Sequence, residues 1–131
     1  MFAKRLETLG AIARAGVPIL AGTDAPMRNS TPGFGLHEEL SYLVQAGLTP
    51  LAALRAATLE PARYFGALDS LGTIAPGKVA DLVLVDADPL ADIRNARRIS
   101  AVIARGRVYA GADRVRLLQG VRDAAATGRS P

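Results

Sequence analysis

Cysteine and tryptophan are absent from the 131 residues, and His37 is the single histidine. Without cysteine the chain can have no disulfide framework and no thiolate metal site. No apolar run approaches the roughly 20 residues that are needed to cross a bilayer. Residues 1–14 mix Lys, Arg and Glu with apolar side chains, which is typical of an amphipathic helix and not of a secretory signal. We therefore expect a cytoplasmic protein without a membrane partner.

Acidic residues are scarce in the last third of the chain, where arginine accumulates and the formal net charge is +4 overall. From Arg94 onward, only Asp113 and Asp123 oppose the arginines. A basic surface of this kind can bind phosphates, but no set of stacking aromatic residues and no groove-reading motif accompanies it. We interpret it as a solvated surface and do not expect a nucleic-acid partner. The arginines are Arg94, Arg97, Arg98, Arg105, Arg107, Arg114, Arg116, Arg122 and Arg129.

Hydrophobic residues make up 50% of the chain, which suffices for the core of one domain or of a piece of a larger one. Apolar periodicity and turn residues predict mostly helices in the first half and strands in the second. The predicted elements are a helix at 3–15, a strand at 17–22, a loop at 23–35, helices at 36–46 and 50–58, a short helix ending at Phe65, a strand at 80–86, a hairpin of 99–104 with 107–109, and a helix at 113–126 capped by Asp113.

The predicted strand at 17–22 leads directly into Gly-Thr-Asp, which ends at Asp24. A short apolar run bounded by turn residues suits a buried strand of a parallel sheet. A carboxylate just past such a strand lies where α/β proteins and barrels build active sites. The alternative is that Asp24 only caps a turn or begins the next helix. Because a lone strand leaves its backbone groups unpaired, the sequence predicts a piece of a larger α/β sheet or barrel with part of a β-rich appendage.

The order of the motifs resembles the C-terminal part of the amidohydrolase superfamily, especially its imidazolonepropionase-like and prolidase-like members. Each motif alone is weak, but all of them in this order, from residue 5 to about residue 110, are highly specific. The motifs are AGVPILAGTDA at 15–25, LHEEL at 36–40, AGLTPLAALRAAT at 46–58, PAR at 61–63, LGTIAPGKVADLVLVD at 71–86, DPL at 88–90 and VIARGR at 102–107.

The resemblance implies an α/β fold that is the C-terminal fragment of a TIM-barrel amidohydrolase, with part of a β-sandwich-like side domain. Residues 17–22 would be the eighth barrel strand, after a helix at 3–15 and before the last outer helices. The implied division is 1–67 for the end of the (β/α)8 barrel, 68–112 for the side domain, and 113–131 for a C-terminal helix and tail.

The resemblance also implies metal-dependent hydrolysis of a carbon–nitrogen bond in an amide, a cyclic amide or a dipeptide. Asp24 matches the family's aspartate at the end of strand eight, which binds the catalytic divalent metal, zinc by expectation. It would accept a proton from a metal-activated water as general base and return it to the leaving nitrogen as general acid.

The family's other metal ligands, histidines on earlier strands, have no counterpart here. We therefore expect a fragment that is inactive alone and whose missing barrel strands come from the rest of a parent chain or from a partner. Homo-oligomerisation stays open. The alternatives are a non-catalytic binding or assembly module that uses the arginine-rich C-terminal region, or one half of a split enzyme.

The resemblance makes His37 the candidate substrate-binding residue, because in similar sequences a histidine often precedes the Glu-Glu-Leu helix and could face the substrate pocket from the rim of the loop. The alternative is a structural histidine that bonds loop carbonyls near the start of a helix. Lys78, in Pro-Gly-Lys, is expected to be a solvated turn residue, and Asp81 is expected to be a turn or strand-end partner.

Overall fold

Residues 1–25 and 32–128 are described by a computed structural model of the chain. The helical part comes first and an antiparallel sheet follows it. Within these residues, none of the helices is both long enough and apolar enough to cross a membrane. The elements are α1 (Phe2–Arg14), α2 (Gly35–Gln45), α3 (Pro50–Ala56), α4 (Leu59–Tyr64), β1 (Leu82–Val85), a 3-10 helix (Ile93–Arg97), β2 (Ile99–Ala104), β3 (Arg107–Ala110) and α5 (Gly111–Thr127).

The structure confirms the four helices that the apolar periodicity and the turn residues of the first half predicted. α3 shows the local cause most clearly, since the Thr49 hydroxyl accepts a hydrogen bond from the Ala52 N–H at 3.2 Å. Pro50 follows at the first helical position, where its missing N–H costs nothing. α2 ends where Gly47 takes a left-handed φ of 104°, which a glycine adopts without strain.

A small apolar core joins the helices to a segment from the second half of the chain. Leu40 and Leu43 of α2, and Ala53 and Ala56 of α3, are buried together with Ile93. Ile93 belongs to the 3-10 helix, which packs against α2. The domain boundary predicted at 67/68 stays a prediction. Ile93 lies after this boundary and the buried residues of α2 and α3 lie before it, so the two predicted units share one core.

The sheet has the order β1-β2-β3, and both pairs are antiparallel. Arg105 and Gly106 turn the hairpin with φ of 51° and 75°, the left-handed conformation that tight hairpin turns require. The Asp81 carboxylate accepts a hydrogen bond from the Arg105 N–H at 2.9 Å, which fixes this turn against the start of β1. The expectations for the hairpin and for Asp81 are therefore confirmed.

Three local predictions are wrong. The segment at 17–22 is extended but is not a strand, because no described strand lies beside it to complete a hydrogen-bond ladder. α5 begins at Gly111, and Asp113 lies inside its first turn, paired with Arg116, instead of capping it. Lys78 is half-buried, because its ammonium group donates to the Leu68 carbonyl at 2.5 Å and to the Thr73 hydroxyl at 2.6 Å.

Candidate active-site segment

The extended segment at 17–24 lies against α2 and α3 and leads to Asp24. Ile19 and Ala21 pack against the apolar core, whereas Val17 and Leu20 are 51% and 37% exposed. The Ala21 N–H donates to the carbonyl of Ala56, at the end of α3, at 2.8 Å. The helices thus hold one face of this segment, and the other face presents apolar side chains to solvent.

Asp24 stands at the end of this segment with an exposed side chain. Its φ of 49° is left-handed, a conformation that Asp and Asn tolerate better than other non-glycine residues. The preceding Thr23 hydroxyl accepts a hydrogen bond from the Ala25 N–H at 3.3 Å, which closes a tight turn around Asp24. The loop that follows, at 26–31, lies outside the described residues, so the predicted loop is described only at its ends.

The described residues supply only part of the ligand set that a divalent metal needs. The exposed Asp24 carboxylate can supply one oxygen ligand. Across residues 1–25 and 32–128, however, no group of three His, Cys, Asp or Glu side chains lies close enough to hold a metal ion. Because a catalytic zinc takes about three protein ligands, the described residues do not complete such a site by themselves.

His37 lies in the first turn of α2, where its backbone N–H donates to the Phe34 carbonyl at 3.1 Å. The imidazole is half-buried, and its Nδ1 is buried without a hydrogen-bond partner among the described residues. Burial lowers the pKa of His37 below 6.5, and the positive charge of Arg97 on the 3-10 helix lowers it further. The structure thus favours the neutral imidazole at pH 7.

We predict that the stability of the fold decreases as the pH falls through the His37 titration. The unfolded chain takes up the proton near the ordinary pKa of 6.5, whereas the folded chain resists it until a lower pH. Below pH 6.5 the unfolded state therefore binds more protons, so the free energy of unfolding falls with pH, and above that value His37 contributes no pH dependence. Thermal denaturation between about pH 7.5 and about pH 5 measures the effect.

His37→Gln is expected to flatten this dependence. Arg97→Met is expected to weaken it, because removing the positive charge raises the pKa of His37. Arg98→Met is the matched control, since Arg98 is an exposed neighbour that does not contribute to the shift. The same pH dependence in wild type and in His37→Gln would contradict the prediction.

Comparison with known proteins shows which family the chain belongs to. A model of the amidohydrolase family matches residues 3–109. The chain belongs to the amidohydrolase family. The resemblance that the motif order indicated is therefore confirmed, and the match ends one residue before the end of β3, so α5 lies beyond it.

Individual amidohydrolase relatives cover much of this chain but little of their own length. Adenine deaminase 2 of Rhizobium meliloti (strain 1021) is 46% identical over 76 residues, which are 58% of this chain and 12% of that protein. A solved molinate hydrolase is 36% identical, with a TM-score of 0.72 over 78% of this chain and 25% of its own. A Xaa-Pro dipeptidase, solved with methionine bound in its active site, is 34% identical, with a TM-score of 0.73 over 81% and 25%.

The chain therefore spans about an eighth of that curated relative and about a quarter of those solved structures. The α/β fold corresponds to part of amidohydrolase structures.

Glu39, in α2, contacts this segment and is a residue that the sequence did not single out. Its carboxylate accepts a hydrogen bond from the backbone N–H of Gly22 at 2.6 Å. The pattern that could have drawn attention to it is the second acid of Glu38-Glu39, which follows the loop after Asp24. Nothing in that pattern says which of the two acids turns toward the segment, because a helix places neighbouring residues on different faces.

Proposed function

We propose that residues 3–109 form the C-terminal part of a metal-dependent amidohydrolase that hydrolyses a carbon–nitrogen bond, with Asp24 in the reacting site. The exposed Asp24 carboxylate, at the end of an extended segment held by two helices, carries the proposal. The relatives support the bond type, because deamination of adenine and cleavage of a dipeptide both break a bond between carbon and nitrogen. We infer an amide, a cyclic amide or a dipeptide as substrate.

Asp24 would act as a metal ligand and as the group that carries the proton. A divalent metal, zinc in our proposal, would be held in part by the Asp24 carboxylate and, when bound, would supply the acidified water of the family's chemistry. In that setting Asp24 would serve as the proton acceptor and, once protonated, as the proton donor to the leaving nitrogen. The exposure of Asp24 supports this role, since a general base must reach both groups.

The remaining ligands and the neighbouring strands would come from polypeptide other than the described residues. The segment at 17–24 supports this inference, because it is extended, exposes Val17 and Leu20, and has no strand beside it among the described residues. Extended backbone of this kind accepts a neighbouring strand, with main-chain hydrogen bonds giving affinity. We propose that barrel strands of the same parent chain, or of a partner chain, occupy this edge.

His37 would contact the substrate at the rim of the loop. Its position in the first turn of α2 and its lowered pKa support this role, since a neutral imidazole can both donate and accept a hydrogen bond.

A chimaera tests the proposed function. Residues 3–109 replace the corresponding quarter of the Xaa-Pro dipeptidase, whose own chain supplies the other strands. We expect the chimaera to bind metal and to hydrolyse the dipeptidase's substrate, with activity lost on chelation and restored by added metal. A folded chimaera that binds metal without hydrolysis would overturn the proposal. If the fusion does not fold, mixing the 131-residue chain with the dipeptidase lacking that quarter gives the same readout.

A further inference from the structure

Glu39 joins α2 to the segment that leads to Asp24. Its Oε1 accepts a hydrogen bond from the backbone N–H of Gly22 at 2.6 Å, and the two residues are 17 apart in the sequence. The contact is therefore tertiary and does not arise from local chain geometry. A carboxylate that accepts from a backbone amide forms a charge-assisted bond, which is shorter and roughly twice as strong as a bond between neutral groups.

This bond replaces the partner that Gly22 would have in a sheet. An N–H in extended backbone ordinarily donates to the carbonyl of a neighbouring strand, and because Gly22 is exposed, water is the partner that competes with Glu39. The preceding amide, of Ala21, donates instead to the Ala56 carbonyl of α3 at 2.8 Å. Two consecutive amides are thus held by two different helices, α2 through a side chain and α3 through its backbone.

Only Thr23 separates the anchored Gly22 from Asp24. Consecutive Cα atoms are about 3.8 Å apart, so fixing the Gly22 amide limits how far Asp24 can move relative to α2. Reacting groups must be held to about 0.5 Å of their productive position, and supporting hydrogen bonds supply that restraint. The left-handed φ of 49° at Asp24 also needs surrounding contacts to hold it.

We propose that Glu39 is a positioning residue, which sets the location of the Asp24 carboxylate through the Gly22 amide. Glu39 contacts backbone and not the reacting atoms, so it is not itself catalytic. The inference rests on the proposed function of Asp24. Glu38, the adjacent acid on α2, is exposed and makes no side-chain hydrogen bond to any described residue, so it provides a matched control.

Nuclear magnetic resonance on the 131-residue chain tests the proposal with Glu39→Ala, Glu39→Gln and Glu38→Ala. In Glu39→Ala we expect hydrogen exchange of the Gly22 amide to accelerate by about tenfold or more, the factor that corresponds to losing one charge-assisted hydrogen bond. We also expect loss of the strong intraresidue contact between amide and Cα protons of Asp24 that its left-handed φ produces. Core signals, such as those of Leu43, should not change.

Glu39→Gln is expected to restore both signals in part, because the amide oxygen of glutamine can still accept from Gly22. Glu38→Ala should resemble wild type. A purely structural role would lower the melting temperature of Glu39→Ala without a selective change at Gly22 and Asp24, and that outcome would overturn the proposal. Unchanged Gly22 and Asp24 signals in Glu39→Ala would overturn it as well.

These outcomes are separable from failure of the proposed function. The magnetic resonance signals do not depend on metal or on hydrolysis, so they test the positioning alone. If Asp24 proved dispensable for hydrolysis in the chimaera, the proposed function would fail even with the Glu39 contact intact. If the contact proved immaterial to Asp24, the positioning role would fail and the proposed function would stand.

Discussion

Asp24→Asn in the dipeptidase chimaera is expected to lower kcat by about 10²–10⁴-fold, the range that a positioned general acid–base group contributes. Asparagine removes the negative charge and the proton acceptor while keeping the size of the side chain. It also tolerates the left-handed φ of 49° that this position adopts. The substitution therefore tests the chemistry of the carboxylate and not the shape of the turn.

The control for Asp24→Asn is Asp81→Asn, which makes the same chemical change in the sheet. Among the described residues, the Asp81 carboxylate accepts a hydrogen bond from the Arg105 N–H alone, and the asparagine oxygen can accept the same bond. We expect unchanged kcat and KM in this control. Steady-state kinetics at saturating metal measures both variants, and an Asp24→Asn chimaera with wild-type kcat would contradict the assignment of Asp24 as the proton carrier.

Gly10→Ala is expected to destabilise the chain, although alanine favours helices over glycine by roughly 1 kcal/mol. Gly10 is buried in α1, where an added Cβ would overlap the carbonyl oxygen of Ala46 at the end of α2 and come within 3.2 Å of the Arg14 guanidinium. A backbone oxygen cannot move aside as a side chain does, so α1 must shift away from α2. Overpacking of this kind costs about 1–3 kcal/mol, which outweighs the gain in propensity.

Gly120→Ala provides the control with the opposite sign. Gly120 lies inside α5, and apart from its chain neighbours and the helix's own backbone, no atom of the described residues lies within 4 Å of the position that a Cβ would take. We expect this substitution to stabilise α5 by up to about 1 kcal/mol. Urea denaturation followed by circular dichroism measures both variants. Stabilisation of the fold by Gly10→Ala would show that the close approach of α1 to α2 does not exist in solution.

Local signals in the sequence were sufficient for the helices and the hairpin. The Thr49-Pro50 pair marks the start of α3 through a cap that needs only neighbouring residues. The turn at Asp24 was also predictable, because Gly-Thr-Asp is a local turn pattern, whereas its role at a metal came only from the family resemblance and stays a proposal. Whether 17–22 forms a strand depends instead on a neighbouring chain, and no local pattern supplies one.

The contacts that hold the candidate site could not be read from the sequence for the same reason. The Glu39–Gly22 bond joins residues 17 positions apart, and the choice between Glu38 and Glu39 depends on how α2 rotates against the core. The 3-10 helix at Ile93–Arg97 was not predicted either. Arg97 of this helix lowers the pKa of His37 because the helix packs against α2. The spacing of residues along the sequence does not predict that packing.

The burial of Ile93 among the helices limits how this chain can exchange parts with a relative by genetic recombination. Ile93 is 6% exposed, and it fills space between Leu40, Leu43 and the alanines of α3. A crossover between α4 and β1 would join the helices α1–α4 of one parent protein to the residue at position 93 of another. The hybrid would inherit a void or a clash unless the incoming side chain had a matching volume. Natural crossovers should therefore be found outside this interval, or with position 93 and its helical contacts inherited together.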